Sequence, residues 1–408
     1  MEASEFIVEN SVLKKYVGSE REVTIPDGIT SIGVYAFKDC KNLECVILPG
    51  SITRIYEGAF NGCASLTSLT IPDSVTNIAD TAFCGCEGLV DQDGFIVVNG
   101  RLYEYWGNET SIVVPDDVIS IGAAFKCRDN LTSVLLPEGV ASIGNATFLR
   151  CTNLHNIILP DSLVNIGAFS FSQCKSLASI NIPEGVENIG GFAFEKCGNL
   201  RSVTIPNSVR DIGEYSFFAC KSLMDITIPT GVNSIGRSAF RECVNLKSIV
   251  IEGRINAIEE LTFEDCCNLT SIKLSDSVVS IGYSAFSGCS ELASITFSQG
   301  LLSICASAFC NCATLASVTI PDGVTEIGDS AFDGCNSLSS VTLPSSIKSI
   351  GLWAFCGCKN LTDITILGSD TEICSYAFKD CDRLTVHAPL GSFAEKFAKE
   401  NNVPFVAM

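Results

Sequence analysis

Histidine is almost absent from this chain of 408 residues: there are two, His155 and His387, beside two tryptophans and three methionines. Chemistry that needs an imidazole next to a nucleophile therefore has little to draw on. Positive charge is also scarce. Lys and Arg number 26 against 46 Asp and Glu, a formal charge of −20. Nucleic acid and anionic membranes require clustered cations, so neither is expected as a partner. No apolar run reaches the length of a membrane-spanning helix, and no membrane insertion is expected. The opening residues, MEASEFIVENSVLKKY, lack the apolar core of an export signal, so a cytoplasmic location stays open on this reading. Walker-type loops and the H-E-x-x-H pattern are missing. The expectation is a protein without enzymatic activity, cofactor or metal.

Cysteine, by contrast, is abundant and periodic. Cys40, Cys63 and Cys86 lie 23 residues apart, and the same step runs from Cys151 through Cys174, Cys197, Cys220 and onward to Cys381. With the displaced Cys127 there are 15 cysteines in the column, and 12 of their 14 intervals equal 23. A fixed period of this size is the mark of a solenoid, in which stacking of successive coils buries the core. Stacked coils place these side chains in a file, with parallel Cβ vectors that bridge poorly. They are read as reduced thiols used as small core residues. The pairs Cys84/Cys86, Cys310/Cys312 and Cys356/Cys358 lack the spacing of a zinc site. Cys84, Cys310 and Cys356 flank the aromatic file described next and are read as exposed, oxidisable thiols.

One clean repeat runs from Cys174 to Lys196, CKSLASINIPEGVENIGGFAFEK. Ile180 and Ile182 alternate with polar residues, as on a short strand ended by Pro183. Val186 and Ile189 point inward on a second short stretch closed by Gly190. Ala193, Phe194 and Cys197 have the spacing of one helical turn. The phenylalanine recurs from Phe37 to Phe378 as a spine of aromatic core. These features predict an α/β repeat solenoid: a right-handed coil with a parallel β-sheet, short second strands and short helical turns. About 15 coils at strand spacing would span roughly 70 Å, and a monomer is expected.

Residues 95–115 align without gaps to residues 6–26, and Asn99-Gly100 between apolar runs is a strong hairpin signal. The expected organisation is an N-terminal hairpin cap over 1–26, first coils over 27–90 and an inserted hairpin module over 91–115. The main array follows over 116–388, with a helix–strand cap over 389–408. The inserted hairpin either bulges from the coil or joins two arrays. The helix is read over 391–402, capped by Ser392, with Phe393, Phe397 and Ala398 on one face.

The unit L-x-S-I-x-I-P-x-x-V-x-x-I-G-x-x-A-F-x-x-C, intact at 177–197 and 315–335, resembles the BspA-like leucine-rich repeat family. The segments FIVVNGRLY and GSFAEKFAKENNVPF are similar to segments of that family as well. The resemblance covers essentially the whole chain. It implies a leucine-rich-repeat solenoid of a microbial cell-surface or secreted protein. It also implies adhesion, with a host or neighbouring-cell protein, or a glycan, as partner. The sequence departs from the family pattern at Glu252, Ser275, Ser298 and Leu367, which replace the proline.

Two surfaces offer themselves for binding. The outward strand positions are mostly Ser and Thr, good strand formers that lack the anchors of typical binding hot spots. Two residues before the file of phenylalanines stand Tyr35, Phe169, Phe192, Tyr215, Trp353 and Tyr376. Phe169, Phe192 and Tyr215 fall on successive coils. With Trp353 and Tyr376 they are the candidate ligand-binding residues. Either they form an exposed aromatic strip, or each packs over the neighbouring turn and the molecule is a structural spacer that binds nothing itself.

Overall fold

A computed structural model describes residues 5–408, so residues 1–4 of the N-terminal segment lie outside the described residues. A typical coil carries two strands. In the coil that starts at Cys174, Ser179–Asn181 points Ile180 inward and Ser179 and Asn181 to solvent. Pro183 follows it, and Asn188–Ile189 forms the second, two-residue strand. Both pair in parallel with the next coil at a step of one repeat: Ile180 with Val203, and Ile189 with Ile212. Like residues therefore stack on like, and the branched aliphatic side chains make two inner walls. The glycine after the second strand is required by crowding. A Cβ on Gly213 would stand 2.5 Å from the backbone nitrogen of Gly191.

The third side of each coil is built of turns, and helix there is minor. Among the described residues the only regular helices are the 3-10 turn Glu87–Leu89 and the α-helix Phe393–Glu400. The reason is local. Phe192 and Lys196, two residues before and after Phe194, have φ of 59° and 55°. Two left-handed residues four apart interrupt the right-handed path that a helix needs. Amide groups alternate instead between two kinds of acceptor. The N–H groups of Phe169, Phe171 and Gln173 donate to Gly191, Ala193 and Glu195 of the next coil at 2.7–3.0 Å. Those of Ser172 and Cys174 close turns onto Phe169 and Phe171 at 3.1 Å.

Inside this side runs the file of phenylalanines, with neighbouring rings 5.1–5.8 Å apart and nearly parallel. Beside it runs the file of thiols. From Cys63 to Cys381, each buried cysteine donates its S–H to the carbonyl of the phenylalanine in the preceding coil, at 3.0–3.2 Å. Burial pushes the thiols of Cys151, Cys197 and Cys243 up to about 12. The exposed thiols are Cys127 and Cys374. Cys84, Cys310 and Cys356 are half-buried, which corrects the reading of them as the accessible ones.

Two hairpins punctuate the array. Phe6–Glu9 pairs with Val12–Tyr16, and Phe95–Val98 with Arg101–Tyr105. Asn10-Ser11 and Asn99-Gly100 hold positive φ at both turn positions, the requirement of a tight hairpin turn that follows strand twist. The second strand of each hairpin pairs in parallel with the first short strand beyond it: Leu13 with Ile32, Leu102 with Ile121. Each hairpin thus starts an array. The inner one is walled on both sides. Ile96 and Tyr103 join the core of the preceding coils, where Tyr103 meets Phe83 edge-on at 4.9 Å. Phe95, Leu102 and Tyr105 join the core of the following coils. Arg101 and Asp80 form an ion pair across the same joint.

The helix Phe393–Glu400 closes the far end. Ser392 caps it, its hydroxyl accepting from the N–H of Glu395 at 3.2 Å. Its buried face is Ala394, Phe397 and Ala398, while Phe393 is exposed. That corrects the face read from the sequence by one residue.

Candidate ligand-binding site

The residue two places before each core phenylalanine sits on the outer rim of the turn, in the left-handed conformation. Ala146, Ser238, Ser284, Ser307 and Ser330 hold φ of 50–57° there. A bulky residue is uncommon in this region. Yet Phe169, Phe192 and Tyr215 adopt it at 57°, 59° and 53°. Their rings stack on one another. Phe169 lies 4.6 Å from Phe192 with 9° between planes, and Phe192 lies 4.7 Å from Tyr215 with 7°. Phe169 is 39% exposed, and the other two are half-buried by their mutual cover.

The two ends of the stack differ. At the Tyr215 end, the guanidinium of Arg237 lies 5.5 Å from the ring centroid, and its Nη2 donates to the tyrosine Oη at 2.9 Å. That hydrogen bond, with a smaller one from Ser238, lowers the tyrosine pKa. Phe218 meets Tyr215 edge-on at 5.8 Å. Lys196 and Arg241 stand over Phe218 at 5.5 and 6.0 Å, a geometry of cation–π attraction. At the Phe169 end the preceding coil offers only Ala146 at the equivalent position. The outer face of Phe169 therefore has no ring above it.

Phe218 and the cations were not read from the sequence. The available signal was the pair Phe217-Phe218, where other coils place Ser172, Glu195 or Arg241 after the core ring. Trp353 and Tyr376 are exposed on adjacent coils, but they do not stack on each other. Trp353 lies 138 residues, or six repeats, beyond Tyr215. The five candidates thus divide into one stacked triad and two separate rings. Away from the strip, His387 Nε2 lies 2.9 Å from Asp363, near the opposite end of the array from His155.

The family model described as "BspA type Leucine rich repeat region" matches in six copies, over residues 9–93, 98–224, 142–269, 210–336 and 256–385. A leucine-rich repeat protein from Bacteroides ovatus is 29% identical, covering 85% of this chain and 92% of its own, with a TM-score of 0.49. A leucine rich cell surface protein from Faecalibacterium prausnitzii is 27% identical, covering 90% and 95%, with a TM-score of 0.38. A leucine-rich repeat protein from Eubacterium ventriosum is 22% identical, covering 79% and 88%, with a TM-score of 0.44. No curated protein matches the chain. With a parallel solenoid of 23-residue coils and a family model that spans most of its length, the chain belongs to the BspA-type leucine-rich repeat family.

Proposed function

We propose that this protein is a non-enzymatic binding protein of a microbial cell surface, recognising a protein or glycan through its lateral aromatic strip. The observation that carries this reading is the Phe169–Phe192–Tyr215 stack with its uncovered end. A planar apolar group, either an aromatic side chain or the apolar face of a sugar ring, would extend the stack on Phe169 over Ala146. Such a group is drawn in by dispersion and loss of hydration, and no conformational change is needed. Phe218 would add an apolar contact, and Lys196 and Arg241, which pair with Glu195 and Glu264, would offer their remaining N–H donors to polar parts of the same ligand. Adhesion to a host or neighbouring-cell partner is the function that fits the family.

The rival reading, a spacer without a ligand, draws on the half-burial of Phe192 and Tyr215 by their neighbours. The test is substitution of Phe169, Phe192 and Tyr215 by Ser, assayed on host matrix proteins and a glycan array. Loss of adhesion with an unchanged Tm supports the strip. Loss of Tm shows that the rings are structural and favours the spacer. Unchanged adhesion removes the strip from the binding surface.

A further inference from the structure

The sheet on the strand face is missing a rung. The strands Glu22–Thr24, Cys45–Ile47 and Ser68–Thr70 form one three-stranded sheet, and Ser111–Val113, Ser133–Leu135 and Asn156–Ile158 form the next. Between them, where the following strand would run, Asp91 closes a loop. Its Oδ1 accepts from the N–H groups of Asp93 and Phe95 at 2.9 and 2.8 Å. Ser111–Val113 is consequently an edge strand inside the molecule. It pairs with Ser133–Leu135 on one side and with no strand on the other. In a parallel ladder alternate residues turn both backbone groups to the same side. Thr110 accepts from Thr132 and Ser133, which places the N–H and C=O of Ser111 and Val113 on the open side.

The open edge borders a cleft of about 520 Å3, whose lining includes Gln92, Asp93, Glu109, Ser111 and Val113 and no cationic side chain. The outward faces of Ser111–Val113, Ser133–Leu135 and Asn156–Ile158 carry an aliphatic row. Val113, Leu135 and Ile158 are aligned by the ladder and are 66%, 52% and 69% exposed. The following coils have Asn181 and Thr204 at this position. An unpaired strand edge is normally covered or blunted, and a bare one accepts another strand. We propose that this edge is a docking site for an extended peptide segment of another protein, which adds as a strand beside Ser111–Val113. The peptide's apolar residue opposite Val113 would prolong the cross-strand row Val113–Leu135–Ile158 by one side chain. Its lysine or arginine would face Asp93 and Glu109. The chain's net charge of −20 favours the same basic partner. This site is on the strand face and is independent of the aromatic strip.

The probe is the acetylated and amidated peptide Lys-Val-Thr-Val-Thr-Val-Lys, followed by fluorescence anisotropy and amide hydrogen exchange. Saturable binding at millimolar peptide is expected, with protection gained at 110–114. Val113→Pro removes one outward N–H and leaves the ladder to Ser133–Leu135 intact. Val113→Lys replaces the outward side chain that abuts the peptide and adds a repelling charge. Each should weaken binding at least about tenfold, or about 1.4 kcal/mol, at an unchanged Tm, whereas Phe192→Ser should leave it as in the parent. If Val113→Pro does not fold, Val113→Lys decides alone. No saturable binding, binding that both variants retain, or protection that appears elsewhere would overturn the proposal.

Discussion

The Sγ of Cys197 donates across 3.1 Å to the carbonyl oxygen of Phe171, one coil earlier. The same carbonyl accepts from the N–H of Cys174 at 3.1 Å. The thiol file thus ties each coil to its predecessor while occupying little volume. Cys197→Ala removes the donor and a sulfur's worth of packing, and should cost about 1–2 kcal/mol. Urea unfolding followed by local amide exchange measures it, since a repeat array need not unfold in one step.

Reagent access should follow the same division. In the native protein Cys127 and Cys374 should react first with a thiol reagent, and the buried file only after denaturation. Six or more native disulfides found by mass spectrometry would contradict the buried-thiol assignment.

Stability should fall at alkaline pH. Cys151, Cys197 and Cys243 titrate near 12 when folded, against an ordinary value of 9.0. Above 9 the unfolded chain loses these protons and the folded one keeps them. Stability is therefore full below pH 9 and declines up to 12, by about 1.4 kcal/mol per thiol per pH unit. A Tm that holds constant from pH 8 to about 11 would contradict the linkage.

The rim position tolerates side chains at a conformational cost that glycine avoids. Ser330 holds φ of 53° there. Ser330→Gly should raise stability by about 1 kcal/mol, and Ser330→Val should lower it. Paired thermal melts of the two variants check the sign.

The joint between the arrays depends on Tyr103. Its counterpart in the first hairpin, 89 residues earlier, is Lys14, which is exposed to solvent. Tyr103→Lys should therefore convert the joint into a free end. Loss of the buried ring costs about 3 kcal/mol. Two separate unfolding transitions and a larger radius of gyration by X-ray scattering are expected. A single transition at the parental Tm would show that the two cores are coupled by other contacts.

Much of this was legible in residue order. The step of 23 between cysteines reports the length of one coil, because only equal coils bring like residues into register. Ile180, Ile182, Val186 and Ile189 announce their inward direction by alternation, and Pro183 announces where the strand ends. The triad of rings on successive coils was visible for the same reason. Trp353 and Tyr376 looked equivalent in the alignment of repeats, but stacking depends on ring orientation, which spacing does not encode.

The amino-acid sequence by itself determined the solenoid, its period and the composition of its core, since each is set by apolar spacing and by the steric demands of proline and glycine. Only the tertiary structure decided the path of the turns. Whether Ala193, Phe194 and Cys197 follow a helix depends on amide groups that bond to the next coil, and those partners are 22 residues away. It also decided that Phe218 and Arg237 meet Tyr215, with Lys196 and Arg241 over Phe218, and that Asp91 withholds a rung and leaves Ser111–Val113 bare. Both outcomes turn on which backbone and side-chain groups find partners in adjacent coils, a matter of three-dimensional neighbourhood that a linear pattern does not carry.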